Sequence, residues 1–555
     1  MKIALASSLL VVTSLGAAHA GGLFLPGSGA VSASRGGAAV ASADDGEALS
    51  INPAGLAKTQ GTTLTISLEL VRYFMSFSRR GQYDPSTNPN FQPPYAGEDY
   101  ATVENDPSPP LGIAKFQPIP VVAVVSDLGG AVPGLHLALG IYAPTGYPFR
   151  DMTAGYKFPI AGDTNANLDA APPASRYDIL TQESRLLLPT IAASYRILPE
   201  LDVGARFTAG NFQSKTQVAV WGTPGNVEER VTEDSLFTAD IKDSFIPAFG
   251  LGVTYRPTPW LELGASYASS LVLKAKGSAT SAKGPDVDAG RVIGPVPDEM
   301  SVCETGGTFE AQRACISLQL PQTATIGARY KFLDERGQLR GDIELNLGWE
   351  NWGKRCATDD NGQFVDPECT APGQYRVVID SGLYINNQFE QPLEKNYNNY
   401  NLQDTYAARL GGSYIIPLAE DADASKVIVR GGLAYDSRAA KDGWLRAALD
   451  GADRTTMTVG GALRTRRWEL SVGAGYVYEG TSTNEGANAD GSDCNPTLNA
   501  LGCNGDSSQR PLDARRGPDP TNPLLQPAFQ FENPYNQGSF ASHYILLMLG
   551  FTTWF

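Results

Sequence analysis

The sequence predicts an all-β protein: a 14-stranded antiparallel transmembrane β-barrel with an N-terminal hatch plugging the lumen. Three observations carry that expectation. After residue 58, segments of roughly ten residues alternate apolar and polar side chains, as half-buried strands do. The links between these segments alternate long and short, which is the pattern of outer-membrane barrels, with tight periplasmic turns and long outer loops. Beyond the first twenty residues, no stretch holds the ~18 uncharged apolar residues that a spanning helix requires.

Residues 1–20 read as a secretory signal peptide. Lys2 is its basic start, Ile3–Leu15 its apolar stretch and Ala18-His19-Ala20 its small-x-small cleavage site. Export to the bacterial outer membrane, with cleavage near Ala20, is therefore expected. Residues 21–58 lack alternation and are rich in Gly, Ala and Ser, so their backbone bends freely and packs closely. Leu23, Phe24, Leu25 and Val31 give this segment enough apolar surface to pack inside the barrel mouth as a hatch.

Residues 59–555 make the barrel and its loops. Strands are expected near 62–77, 118–126, 135–146, 184–197, 200–213, 245–256, 259–275, 316–332, 337–352, 404–416, 425–437, 454–464, 466–481 and 542–555. Within 63–73, Leu64, Ile66, Leu68 and Leu70 share one face, while Thr65, Ser67 and Glu69 share the other. Tyr195, Tyr255, Trp260, Tyr330, Phe332, Tyr414 and Trp468 sit beside short turns, where an aromatic girdle belongs. Inward positions carry both signs of charge (Arg206, Glu262, Arg329, Asp342, Glu344, Arg409, Arg430, Glu469) and also Tyr142, Leu186, Leu188 and Met548. That mixture suits a packed lumen with apolar pockets. Phe555 ends the last alternating strand, and resembles the C-terminal signal by which barrel-insertion machinery recognises its clients.

The six cysteines form three neighbouring pairs: Cys303 with Cys315, Cys356 with Cys369, and Cys494 with Cys503. Each pair lies in or at the edge of a different long link. In an exported chain they read as loop disulfides. A metal site is not expected, because no pair is CxxC and no histidine lies near one. With 43 Lys and Arg against 59 Asp and Glu, the net charge of −16 argues against a nucleic-acid partner. No HExxH, GxSxG, Walker A or GxGxxG motif is present, so neither an enzyme nor a cofactor is expected.

The hatch segment carries a family likeness. Ser34-Arg35-Gly36-Gly37, then Ala43-Asp44-Asp45, then Asn52-Pro53-Ala54 resemble the hatch of the FadL-type long-chain fatty-acid transporters of bacterial outer membranes. The likeness extends along the mature chain, with Leu139–Gly146 similar to that family's kinked third strand. It implies passive uptake of hydrophobic small molecules such as fatty acids, hydrocarbons or other lipids. Outer loops would capture the molecule, an apolar lumen pocket would receive it, and a side opening would release it into outer-membrane lipid. A monomer is expected. The resemblance also implies that Asn52, Pro53 and Ala54 seat against Pro144, Thr145 and Gly146. Independently, Pro144 lacks a ladder donor and Gly146 leaves a packing gap, so this strand can break there. One departure is the link near 214–244, which is acidic (Glu229, Glu233, Asp234, Asp240, Asp243) where a greasy capture groove would be apolar. The alternative reading is a general diffusion porin, against which the hatch argues.

Overall fold

The computed structural model describes residues 24–83, 92–109, 112–146, 149–163, 167–220, 229–287, 291–357, 365–366, 369–392, 396–400, 402–419, 425–441, 445–448, 451–484 and 538–555. The signal segment lies outside them. Fourteen strands form the wall: β1 (Thr62–Arg79), β2 (Gln117–Ser126), β3 (Leu135–Tyr142), β4 (Thr181–Leu198), β5 (Leu201–Val220), β6 (Ser235–Thr258) and β7 (Leu261–Ala268, continued by Leu271–Lys283). They continue through β8 (Gln312–Leu320, then Thr323–Leu333), β9 (Leu339–Glu350), β10 (Thr405–Pro417), β11 (Lys426–Asp436), β12 (Arg454–Arg464), β13 (Trp468–Asn484) and β14 (Gly538–Trp554). β14 returns to β1, with Thr63 opposite Trp554 and Arg79 opposite Gly538. The sheet therefore closes on itself and satisfies its own backbone, as lipid demands.

Burial decides between this barrel and a soluble sandwich. Leu345, Leu347, Leu433, Val459, Val472 and Leu549 face outward and are exposed, while Glu344, Asn346, Arg430 and Glu469 face inward and are buried. Polar residues inside and apolar residues outside is the ordering that a lipid solvent selects. Six of the seven expected girdle aromatics are exposed beside the short turns, with Trp468 half-buried.

Strands β5 and β6 run further than expected, pairing out to Val220 opposite Ser235. Apolar alternation marks only the lipid-facing part of a strand, whereas the ladder continues into water without it. The link expected at 214–244 thus contracts to 221–234. Its acidic residues are used internally: Arg176 contacts Glu229 at 3.1 Å and Asp234 at 3.3 Å, and Arg79 forms a two-pronged pair with Glu229. Outside the wall, Gln374–Ile385 pairs with Arg291–Pro295 and Gln388–Pro392 in a small outer sheet. Disulfides join Cys303 to Cys315 and Cys356 to Cys369, as the spacing predicts. The third expected bridge differs in standing: Cys494 and Cys503 both lie outside the described residues, so the pairing of Cys494 with Cys503 stays an expectation from sequence.

Candidate functional site

The hatch lies in the lumen and is almost entirely buried from Leu25 to Ala57. Short helices α1 (Ala30–Ala33) and α2 (Ala48–Ile51) and a 3-10 turn (Pro53–Lys58) give it little internal bonding, so the wall must hold it. Three latches do so. Arg35 donates to Asp342 at 2.7 Å, to Glu344 at 3.4 Å and to the hydroxyl of Ser413. Lys58 pairs with Glu262 at 2.8 Å, and Arg329 links Glu262 to Asp342. Glu47 accepts the backbone N–H groups of Val31 and Ser32 and the hydroxyl of Ser67 on β1. Asp45 caps the next turn through the N–H of Glu47, whereas Asp44 is exposed. Most of the inward charges therefore pair with one another and with the plug.

Asn52-Pro53-Ala54 does not seat at the third-strand break. Asn52 donates to Val40 O at 2.7 Å and to Val253 O at 3.2 Å on β6, and accepts the N–H of Ala54. A Cβ on Gly204 of β5 would lie 2.4 Å from Ala54 N, and one on Gly252 of β6 would lie 2.0 Å from Asn52 Oδ1. Two wall glycines thus create the slot this motif fills, and the expected contact with residues 144–146 is corrected to β5 and β6. What the slot rewards is close backbone approach, which only glycine permits.

The break itself is present. β3 ends at Tyr142, not at residue 146, and pairing with β4 resumes only at Phe149 opposite Glu183. Among the described residues, 184–187 of β4 have no partner on that side. Gly146 N–H donates to Pro144 O at 2.9 Å, a three-residue turn that leaves the ladder. Leu25 meets the break: its N–H donates to Thr145 O at 2.5 Å, and the Thr145 hydroxyl donates to Leu25 O at 2.7 Å. It is thus Leu25 of the hatch that bonds the residues of the break.

Above the hatch lies an open-sided lumen cavity of about 220 Å³. Phe24, Leu25, Tyr142, Leu188 and Leu271 give it an apolar side that reaches the break at Ala143, Pro144 and Thr145. Arg206, Glu350, Arg409 and Asp436 give it polar points. Tyr142 and Leu188 are where alternation expects them. Leu186 packs behind them, and Met548 belongs to a separate cluster with Leu25 and Ala30, away from the cavity lining.

Arg206 stands out among these groups. Its Nη1 donates to the carbonyls of Leu49 and Ser50 at the end of α2, and its guanidinium lies 5.6 Å from the Tyr142 ring centre. Arg409 is neutralised by Asp436 at 2.8 Å, but no carboxylate among the described residues pairs with Arg206. Alternation already turns it inward; that it reaches this cavity depends on register and on the hatch, which sequence does not display. Leu25 carries no periodic signal at all.

A closed fourteen-stranded barrel, filled by its own N-terminus and broken beside an internal cavity, defines an outer-membrane transport channel. Residues 150–505 match the model of the family described as outer membrane protein transport protein (OMPP1/FadL/TodX), and the chain belongs to that family. Among solved structures it is similar to a FadL homologue of Pseudomonas aeruginosa, at 13% identity and a TM-score of 0.62, over 96% of this chain and 100% of the other. The toluene transporter TbuX of Ralstonia pickettii matches at 14% identity and a TM-score of 0.54, over 96% and 99%. TodX of P. putida, also a toluene transporter, matches at 13% identity and a TM-score of 0.54, over 96% and 99%. No curated protein matches by sequence.

Proposed function

We propose that this protein passes hydrophobic molecules bearing one anionic end, such as long-chain fatty acids, inward across the outer membrane without an energy source. The molecule enters between the outer loops, lodges in the lumen cavity and leaves sideways through the third-strand break into lipid. One observation carries the reading: the apolar side of the cavity reaches the break at Ala143, Pro144 and Thr145, where Leu25 of the hatch is hydrogen-bonded to Thr145. Arg206 favours a carboxylate at the polar side, because a charge-assisted bond there meets a guanidinium with no acid of its own. Neutral aromatic hydrocarbons are the second reading, favoured by the stretch of Phe24, Tyr142 and Leu188.

Binding measured on the purified protein separates the two. Arg206→Lys keeps a donor for the hatch carbonyls, and Arg206→Gln removes the charge. If a carboxylate is recognised, Arg206→Gln should weaken oleate binding about tenfold or more and leave toluene binding unchanged, since a bond to a charged group is worth about 1.5–3 kcal/mol. Equal loss for both ligands, rescued by Lys, would assign Arg206 to holding the hatch alone.

A further inference from the structure

The outward face of the barrel is not uniform at its outer rim. Register aligns Arg185 of β4 with Gln213 of β5, Gln213 with Lys242 of β6, and Lys242 with Lys276 of β7. Lys274 lies one outward position below Lys276. All four basic side chains are exposed, and among the described residues Arg185 hydrogen-bonds only Gln213, at 3.0 Å. Acidic groups lie beside this row. Glu183 and Asp240 flank Lys215 in the next row up, and the Asp243 carboxylate accepts the N–H groups of Phe245 and Lys274. Along the outer halves of β9–β13 no Lys or Arg among the described residues is exposed on the wall; Tyr406, Tyr435 and Tyr478 stand there instead.

Height fixes what meets this row. Below Lys242, the outward residues of β6 from Phe245 to Tyr255 are an exposed apolar run. Ten residue steps at ~3.3 Å and a tilt of ~40° span about 25 Å, the height of a lipid-facing band. The basic row therefore sits at the head-group level of the outer leaflet. Lys242 and Lys276 are direct cross-strand partners, and like charges in that relation repel unless an anion lies between them.

We infer that Arg185, Lys242, Lys274 and Lys276 form a docking surface for the phosphate groups of an outer-leaflet glycolipid. The inference rests on the membrane placement of the barrel and not on what the barrel carries. It puts the lipid beside residues 184–187 of β4, at the rim of the wall break.

The test is native mass spectrometry of the intact protein in micelles doped with bisphosphorylated lipid A, with dephosphorylated lipid A or with inorganic phosphate. Bisphosphorylated lipid A should stay bound, and neither of the others should. The Arg185→Gln/Lys242→Gln/Lys274→Gln/Lys276→Gln variant should retain it at least about tenfold less, since each basic residue near a membrane surface contributes ~1 kcal/mol. The Lys242→Gln/Lys276→Gln pair, a milder change, should show an intermediate loss, and Arg336→Gln in a periplasmic turn none. Heat-modifiable migration confirms folding of each variant, and oleate binding is read in parallel. Equal lipid A retention by the wild type and both row variants overturns the inference, whatever oleate does. Equal binding of dephosphorylated lipid A overturns it too, as does capture of inorganic phosphate in its place.

Discussion

If ligand leaves through the wall, the contact between Leu25 and Thr145 is a gate whose strength can be worked out. Two hydrogen bonds, at ~1 kcal/mol each, and burial of one leucine side chain, at ~2 kcal/mol, hold it shut. A closing free energy of about 4 kcal/mol leaves the gate open roughly once in a thousand. Thr145→Val keeps the β-branched shape and removes one donor. It costs about 1 kcal/mol for the bond and up to about 3 kcal/mol if the Leu25 carbonyl is left buried and unpaired. Opening should then rise about fivefold to a hundredfold, and uptake of a fluorescent fatty acid by protein-bearing vesicles should rise if opening limits it. The converse variant, Leu25→Cys/Thr145→Cys, places two thiols on residues joined by a main-chain hydrogen bond. Oxidation should block uptake, reduction should restore it, and binding should persist in both states. Wild-type uptake by the fully oxidised, folded variant would refute lateral release at this site and favour an axial path.

Three further outcomes follow from the packing. Arg35→Ala should lower stability by about 3 kcal/mol in guanidinium unfolding from micelles, the low end for a broken buried pair, because Arg329 remains on Asp342. The Glu69 carboxylate is buried among the Cα partners Ile119 and Met548 without a hydrogen bond among the described residues, so Glu69→Leu should raise stability by about 1–3 kcal/mol in the same assay. Deleting residues 21–58 should raise single-channel conductance in planar bilayers, and an unchanged conductance would mean the hatch does not occlude the lumen.

Much of the wall was legible because lipid imposes a two-residue period that no loop shares. Every expected strand corresponds to one of β1–β14, and the two described disulfides join the expected neighbours, while Cys494 and Cys503 fall outside the described residues. Strand ends were legible only where apolar alternation coincides with the ladder. β5 and β6 continue past it in water, and Cys315 sits in a strand above the band, not in a free loop. The interior was harder to read, for a physical reason. Alternation says that Arg206, Glu262, Arg329 and Asp342 point inward, but their partners are set by the path of a hatch with no period of its own.

The misplaced motif shows what that path depends on. The family resemblance pairs Asn52-Pro53-Ala54 with the strand break, yet the motif goes to Gly204 and Gly252. There the absence of two side chains lets backbone meet backbone. Complementarity in a packed lumen is decided by which wall positions lack a Cβ at one height, and that requires the shear of the barrel. With the motif anchored on β5 and β6, Leu25, not Ala54, meets Thr145. Leu25 precedes Arg35, Glu47 and Lys58 in the chain, so on the proposed release path it can withdraw while those three latches stay paired.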